Sequence, residues 1–80
     1  MTLLVGSNSL DTDFFPAAGP FIVQVSGPNP VKLLRKNTST DTFASVGYID
    51  PETCKNVDNP VSGTVFRFHA NGPATTRADQ

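Results

Sequence analysis

Cys and His, two residue types that often act as a nucleophile or a general base, are each present once, as Cys54 and His69. A thiol or an imidazole becomes a catalyst when a second group orients it or changes its charge. The two residues are fifteen positions apart in the sequence, so a catalytic pair is possible but has little support. We therefore expect that the chain is not an enzyme.

Metal ligands are also sparse. We interpret Asp11 and Asp13 as part of a capped polar loop, with a shared hard cation as the alternative. Asp50-Pro51-Glu52 carries two more carboxylates, but Pro at the second position is typical of a turn. Cys54 and His69 supply two ligands, fewer than a zinc site needs. We expect no metal and no cofactor, and we interpret Cys54 as a small buried or edge thiol.

Length and charge restrict the function further. A chain of 80 residues supports one small core, because so short a chain buries only about 60% of its unfolded surface. The formal net charge is −1 and no block of like charge is present, so we expect no nucleic-acid partner. The densest basic stretch is Lys32, Arg35 and Lys36, which we interpret as a solvated strand edge, with an acidic partner surface as the alternative.

No stretch of the sequence predicts insertion into a membrane. The first residues lack the positive start and the apolar core of a signal peptide. No run approaches the roughly 20 apolar residues that span a bilayer. We expect a soluble chain that is made in the cytoplasm and does not enter a membrane.

The spacing of turn residues predicts strands. Six Gly and seven Pro divide the chain too often for ordinary helices. Nine Thr, together with Val, Ile and Phe, favour extended structure. About six short strands predict an all-β fold, a small antiparallel β-sandwich or barrel. The candidate segments are residues 2–7, 21–26, 31–36, 42–49, 54–57, 63–70 and 75–78. The first segment is also a candidate arm, and the last is a possible added terminal strand.

Alternation within these segments predicts which side chains face the core. The inward set is Phe21, Val23, Val25, Val31, Leu33, Phe66, Phe68 and Ala70. In the last strong strand, Val65, Arg67 and His69 share the opposite side. Because Arg67 and His69 are polar, we expect that side to be the more solvent-exposed one. The polar residues 37–41 predict a hairpin. A break in parity in the strand that follows indicates a bulge near Gly47.

The N-terminal residues have a different pattern from the rest. We expect residues 1–18 to form an arm and loop, and residues 19–80 to form the single β-sandwich domain. An apolar arm of this kind can pack on a neighbouring subunit, and the candidate interface residues are Leu3, Leu4, Val5, Phe14 and Phe15. The alternative is that the two aromatic residues fasten a loop to the core.

Several of these segments carry a resemblance. The stretches GPFIVQVSG (19–27), VKLLRK (31–36), FASVG (43–47) and VFRF (65–68) are followed by Asn71-Gly72. Over residues 19–72 this order of strands and turns resembles the small β-sandwich proteins of tailed-bacteriophage particles. The chain departs from that pattern in having Phe43 where Trp is common, and in the turn Pro28-Asn29-Pro30.

The resemblance implies a structural virion protein. It would be a capsid decoration or cement protein that binds the assembled shell and stabilises it through added inter-subunit interface. Its partners would be the major capsid protein or other virion proteins, with a homo-oligomer such as a trimer expected. It would be located on the virion, and in the host cytoplasm during assembly.

A tail or fibre accessory module that binds carbohydrate or a receptor is the alternative function. Such a module needs exposed aromatic side chains in a shallow groove. The absence of Trp and the presence of a single Tyr, Tyr48, count against it.

Overall fold

The computed structural model describes residues 1–6 and 10–80, which form eight strands and no helix. The strands are β1 (Leu3–Val5), β2 (Asp13–Phe14), β3 (Gly19–Ser26), β4 (Val31–Lys36), β5 (Ala44–Ile49), β6 (Thr53–Asn59), β7 (Val65–His69) and β8 (Thr75–Asp79). Ser7, the end of the first predicted strand, lies outside the described residues. No helix that could cross a lipid bilayer is found in these two ranges.

The strands form two antiparallel sheets of four that pack together. Sheet 1 has the order β1-β8-β3-β6, and sheet 2 has the order β2-β7-β4-β5. The all-β prediction is confirmed as two packed antiparallel sheets. The strand count is eight in the described structure rather than about six. β2 was not predicted, and β1 and β8, predicted only as a possible arm and as an added terminal strand, both belong to sheet 1.

The core lies between the sheets and is built from the predicted inward faces. Buried members of the predicted set are Phe21, Val23, Val25, Val31, Leu33, Phe66 and Phe68, while Ala70 packs against them partly buried. Val65 is buried as well, although it has the outward parity of Arg67 and His69. An apolar side chain gains free energy from burial on either side of a sheet.

Four phenylalanine rings form the centre of this core. The Phe14 ring stacks on the rings of Phe66 and Phe68 at centroid distances of 5.8 Å and 5.0 Å. Phe21 on sheet 1 meets Phe14 and Phe66 edge to face, at 6.0 Å and 5.0 Å. Such pairs add about 0.5–1.5 kcal/mol each to the burial of their area. The rings therefore join sheet 1 to sheet 2.

The predicted hairpin and bulge are both present. β4 and β5 pair directly, and their register shifts between Leu33 and Leu34, so one extra residue lies on β5. Gly47 is next to this irregularity and has a φ of 141°, a conformation that other residues rarely adopt. The strand begins at Ala44 rather than at residue 42.

The predicted N-terminal arm is not confirmed. β1 pairs with β8 in sheet 1, and β2 pairs with β7 in sheet 2, so parts of residues 1–18 belong to both sheets of the same chain. Phe14 was predicted as an interface residue, but it is only 2% exposed because its ring fills the core. For this residue the alternative, a loop fastened to the core, is the correct interpretation.

A buried amide holds the same segment in place. Asn59, at the end of β6, donates from Nδ2 to the carbonyl oxygens of Pro16 and Ala17, at 3.1 Å and 3.2 Å. β6 extends over Thr53–Asn59 and is therefore longer than the predicted strand of residues 54–57. Its last residue links sheet 1 to the chain that leaves β2.

Phe14 and Phe15 are a matched pair for measuring the contribution of this segment. Phe14→Ala is expected to reduce the free energy of unfolding by about 3–5 kcal/mol, because it opens a cavity among the core rings. Phe15 is 61% exposed, and Phe15→Ala is expected to change the free energy of unfolding by less than about 0.5 kcal/mol. Urea denaturation followed by circular dichroism measures both, and equal losses would contradict the placement of Phe14.

Candidate binding face on sheet 2

Aromatic and positively charged side chains share the outer face of sheet 2. Along β4, the core residues Val31 and Leu33 alternate with Lys32, Leu34 and Lys36, which therefore point outward. Arg67 and His69 lie beside them on β7, and Tyr48 lies beside them on β5. These residues, together with Phe43 before β5, are called the aromatic–basic face below.

Phe43 is at the centre of the first cluster on this face. The Lys36 ammonium lies 4.5 Å from the centroid of the Phe43 ring, and the Arg67 guanidinium lies 4.6 Å from it. Both Nε and Nη2 of Arg67 lie 2.7 Å from the Oδ1 of Asp13. An exposed cation–π contact contributes about 0.5–1 kcal/mol, and the ion pair fixes one of the two cations in position.

A second cluster surrounds Tyr48 at the other end of β4. The Lys32 ammonium lies 5.5 Å from the centroid of the Tyr48 ring, which is directly across from it in the register. Nδ1 of His69 is 2.9 Å from the Oδ1 of Asp11. Lys32, Tyr48 and His69 line a shallow cavity of about 200 Å³, together with Asn29, Pro30, Ala70 and Asn71.

The aromatic–basic face has positive charges that no carboxylate neutralises. The Asp11 and Asp13 carboxylates pair with His69 and Arg67. In residues 1–6 and 10–80, neither Lys32 nor Lys36 has a carboxylate within ion-pair distance. Of the other five acidic residues, Asp41 is in the β4–β5 loop, where its carboxylate accepts hydrogen bonds from Thr38. The remaining four lie in the β5–β6 turn or on sheet 1: Asp50, Glu52, Asp58 and Asp79. The two sides of the sandwich therefore differ in charge.

The outer face of sheet 1 carries an ion pair of its own. The Arg77 Nε donates to the Asp79 Oδ2 at 2.8 Å, and this hydrogen bond lowers the pKa of the Asp79 carboxyl. A carboxyl whose pKa is lowered by folding stabilises the folded state above its unfolded pKa. That contribution is lost as the pH falls through the lower, folded value.

Replacement of the guanidinium is expected to restore the ordinary acidity of this carboxyl. In Arg77→Gln the pKa of Asp79 should rise toward the value of a free aspartate, because the charged donor is gone. Carbon-detected NMR titration of the side-chain carboxyls of both proteins measures this shift. An unchanged Asp79 titration would show that the pair does not form in solution.

The sheet edges are protected against pairing with another chain. β6 lies at the edge of sheet 1, and its Lys55 is directly opposite the core residue Val23. Lys55 therefore has the inward parity of Val23, which places a charged side chain on the inner side of the edge strand. β5, at the neighbouring edge of sheet 2, has the bulge beside Gly47. At the opposite edges, β1 has three residues and β2 has two. Inward charges, bulges and short strands are the features that prevent edge-to-edge association.

Removal of the inward charge is expected to expose β6 to self-association. Lys55→Val should give a concentration-dependent dimer or larger species, because a charge-free extended edge accepts a second strand. Lys55→Arg keeps the charge and should stay in the state of the unaltered chain. Sedimentation velocity compares the three proteins, each carrying Cys54→Ser to exclude disulfide pairing, and the same distribution for all would refute a protective role for Lys55.

The predicted interface residues do not form one surface. Leu3 and Phe15 are 50% and 61% exposed, whereas Leu4 and Val5 are partly buried against the core. Phe14 belongs to the core itself. The residues of the aromatic–basic face were not predicted as a group, because Phe43 and Tyr48 are on opposite sides of a bulge that breaks the simple alternation of β5.

The placement of the basic stretch also corrects a prediction. β4 lies between β7 and β5 and is a central strand of sheet 2, so Lys32, Arg35 and Lys36 are not at a strand edge. The solvated side of a central strand is a broad face rather than a rim.

The remaining candidates for chemistry are separated. Cys54 is exposed and lies opposite Gln24, on the outer face of sheet 1, whereas His69 is on the outer face of sheet 2. Asp13 is occupied by an ion pair with Arg67, and Asp11 by a hydrogen bond with His69. Among the residues that the structure describes, no group of three or more His, Cys, Asp or Glu is placed to hold a metal ion.

The chain matches no protein-family model, no curated protein and no solved structure.

Proposed function

We propose that this chain is a structural virion protein, a capsid decoration or cement protein that binds the assembled shell and stabilises it. It acts through added interface and without catalysis. Its partners are the major capsid protein or other virion proteins, and it is located on the virion and, during assembly, in the host cytoplasm. The observation that best supports this function is Phe43, held between Lys36 and Arg67 on the aromatic–basic face.

The chemistry of this cluster suits a protein interface. Aromatic residues and Arg are enriched among the side chains that contribute most to protein–protein binding. Arg67 is held by Asp13, so one of the two cations loses little conformational freedom when a partner binds. The unneutralised ammonium groups of Lys32 and Lys36 favour a partner surface that is acidic.

The dimensions of the sandwich agree with attachment by one face. The sandwich measures 31 × 28 × 18 Å, so its broad sides are the largest flat areas available. A stable interface buries about 800 Å² of each partner. One broad side of the sandwich is of that order, whereas the protected edges offer less area and a barrier to strand pairing.

We also propose that copies of the chain associate with one another, a trimer being the order that the resemblance implies. Leu3 and Phe15 are the exposed apolar members of the predicted interface set. They lie away from the aromatic–basic face, so self-association through them leaves that face free for the shell.

Binding to particles tests the proposed function. Phe43→Ala is expected to weaken binding by about tenfold or more, since loss of a central aromatic contact costs roughly 2 kcal/mol. Lys36→Gln should weaken it less, and should reduce the loss of binding as salt is raised. Arg77→Gln removes one positive charge from the opposite side and is the matched control. The measurement is co-sedimentation of each purified variant with particles of the source virus that lack the chain.

The outcomes separate the two virion locations. A copy number of the chain per particle that equals the number of shell subunits, or a fixed fraction of it, would support decoration of the shell. A few copies per particle would support a place on the tail. Absence of the chain from purified particles would contradict both. Equal effects of Lys36→Gln and Arg77→Gln would contradict the assignment of the binding face.

A further inference from the structure

The cavity beside Tyr48 has a composition that shell binding does not explain. It lies at the end of β4 opposite to the Phe43 cluster, and its lining combines one exposed aromatic ring with amide, imidazole and ammonium groups. Tyr48 is 56% exposed, so its ring is accessible to a ligand. A cavity of about 200 Å³ is smaller than the roughly 300–1,000 Å³ of pockets for drug-sized molecules. It has room for one small polar molecule.

Two loops that pack closely together build the wall of this cavity. The Asn29 Nδ2 donates to the Pro73 carbonyl oxygen at 2.9 Å, which joins the turn after β3 to the turn after β7. A Cβ on Gly72 would lie only 2.6 Å from that Nδ2, so the close approach depends on glycine. The wall that carries Asn71 is therefore formed before any ligand binds, and a preformed site avoids the entropy cost of ordering.

His69 is oriented by its carboxylate partner. An ionised carboxylate can only accept a hydrogen bond, so the Nδ1–H of His69 donates to Asp11. In the neutral ring Nε2 is then an acceptor. In the described part of the chain no hydrogen bond to Nε2 is present, so this atom can accept from a hydroxyl group in the cavity.

We propose that this cavity binds a carboxylated pyranose, a sugar of the hexuronic acid class, at the end of a glycan. The C–H face of the sugar ring packs on Tyr48, its carboxylate meets the ammonium of Lys32, and its hydroxyls bond His69 Nε2 and the Asn71 amide. Lys32 has no carboxylate partner in the described residues, so a ligand can supply the missing anion. This site gives the alternative function, carbohydrate binding, a specific location, and it does not depend on the shell-binding proposal.

Titration followed by NMR tests the proposal on the full chain. Amide spectra of the ¹⁵N-labelled protein are recorded with sodium glucuronate, with glucose and with sodium acetate. Glucuronate is expected to shift the amides of Asn29, Lys32, Tyr48, His69 and Asn71, with a millimolar Kd, and to bind more tightly than glucose or acetate. Amides of sheet 1 that do not shift show that the fold is unchanged.

Three variants, two at Tyr48 and one at Lys32, measure what each side chain contributes to glucuronate binding. Tyr48→Ala is expected to raise the Kd for glucuronate by about tenfold, because the apolar contact between the sugar ring and the aromatic ring is lost. Tyr48→Phe should bind like the unaltered chain. Lys32→Met keeps the aliphatic stem and should abolish the preference for glucuronate over glucose. Arg77→Gln is the control, because Arg77 lies on sheet 1 and its replacement should leave sugar binding unchanged.

Two results would overturn the proposal. Absence of glucuronate-dependent shifts at the cavity would show that no such sugar binds. Equal binding of acetate and glucuronate would show an anion site that does not recognise a sugar ring. Particle binding is measured with the Phe43 and Lys36 variants, so failure of that function and failure of the sugar site are distinguishable.

Discussion

The contact of four phenylalanine rings between the two sheets is the interaction on which the rest of the molecule depends. Phe21 comes from sheet 1, and Phe14, Phe66 and Phe68 come from sheet 2. Because side chains alternate along a strand, each inward ring on β7 sets the outward position of its neighbours Arg67 and His69. A shift of one residue in register would place the cations in the core and the rings in water. The same burial that closes the sandwich therefore determines which side chains form the aromatic–basic face.

The parts of the fold that the sequence predicts are those with strong local patterns. β3, β4 and β7 have clear alternation and are bounded by Gly, Pro or polar turns, and the break in parity near Gly47 marks a real bulge. β2 could not be predicted, because it has two residues and its partner Arg67 is fifty-four positions from Asp13. The end of β6 was missed for a related reason. Asp58-Asn59-Pro60 has the composition of a turn, yet the Asn59 amide makes its hydrogen bonds inside the protein, to a segment distant in sequence.

The candidate site depended on tertiary placement that local patterns do not contain. Lys32 and Lys36 alternate with core residues in any strand, but only the sheet order shows that β4 is central and that these cations lie on a broad face. Exposed strand edges can pair with another chain. In the structure the inward Lys55 and the β5 bulge protect those edges, so surfaces of side chains rather than backbone groups are left for binding. Phe43 and Tyr48 lie at opposite ends of the aromatic–basic face, where we propose that they contact the shell and a sugar, respectively.

Lysine labelling of the bound protein tests the central claim most directly, because the three lysines of the chain report on the two kinds of surface. Lys32 and Lys36 are on the aromatic–basic face, and Lys55 is on the β6 edge. The chain is acetylated free and on particles, and the modification of each lysine is quantified by mass spectrometry. Binding by the face predicts that Lys36 is protected on the particle, with Lys55 as reactive as in the free chain. Protection of Lys55 with an unprotected Lys36 would contradict it and would place the contact at the strand edge.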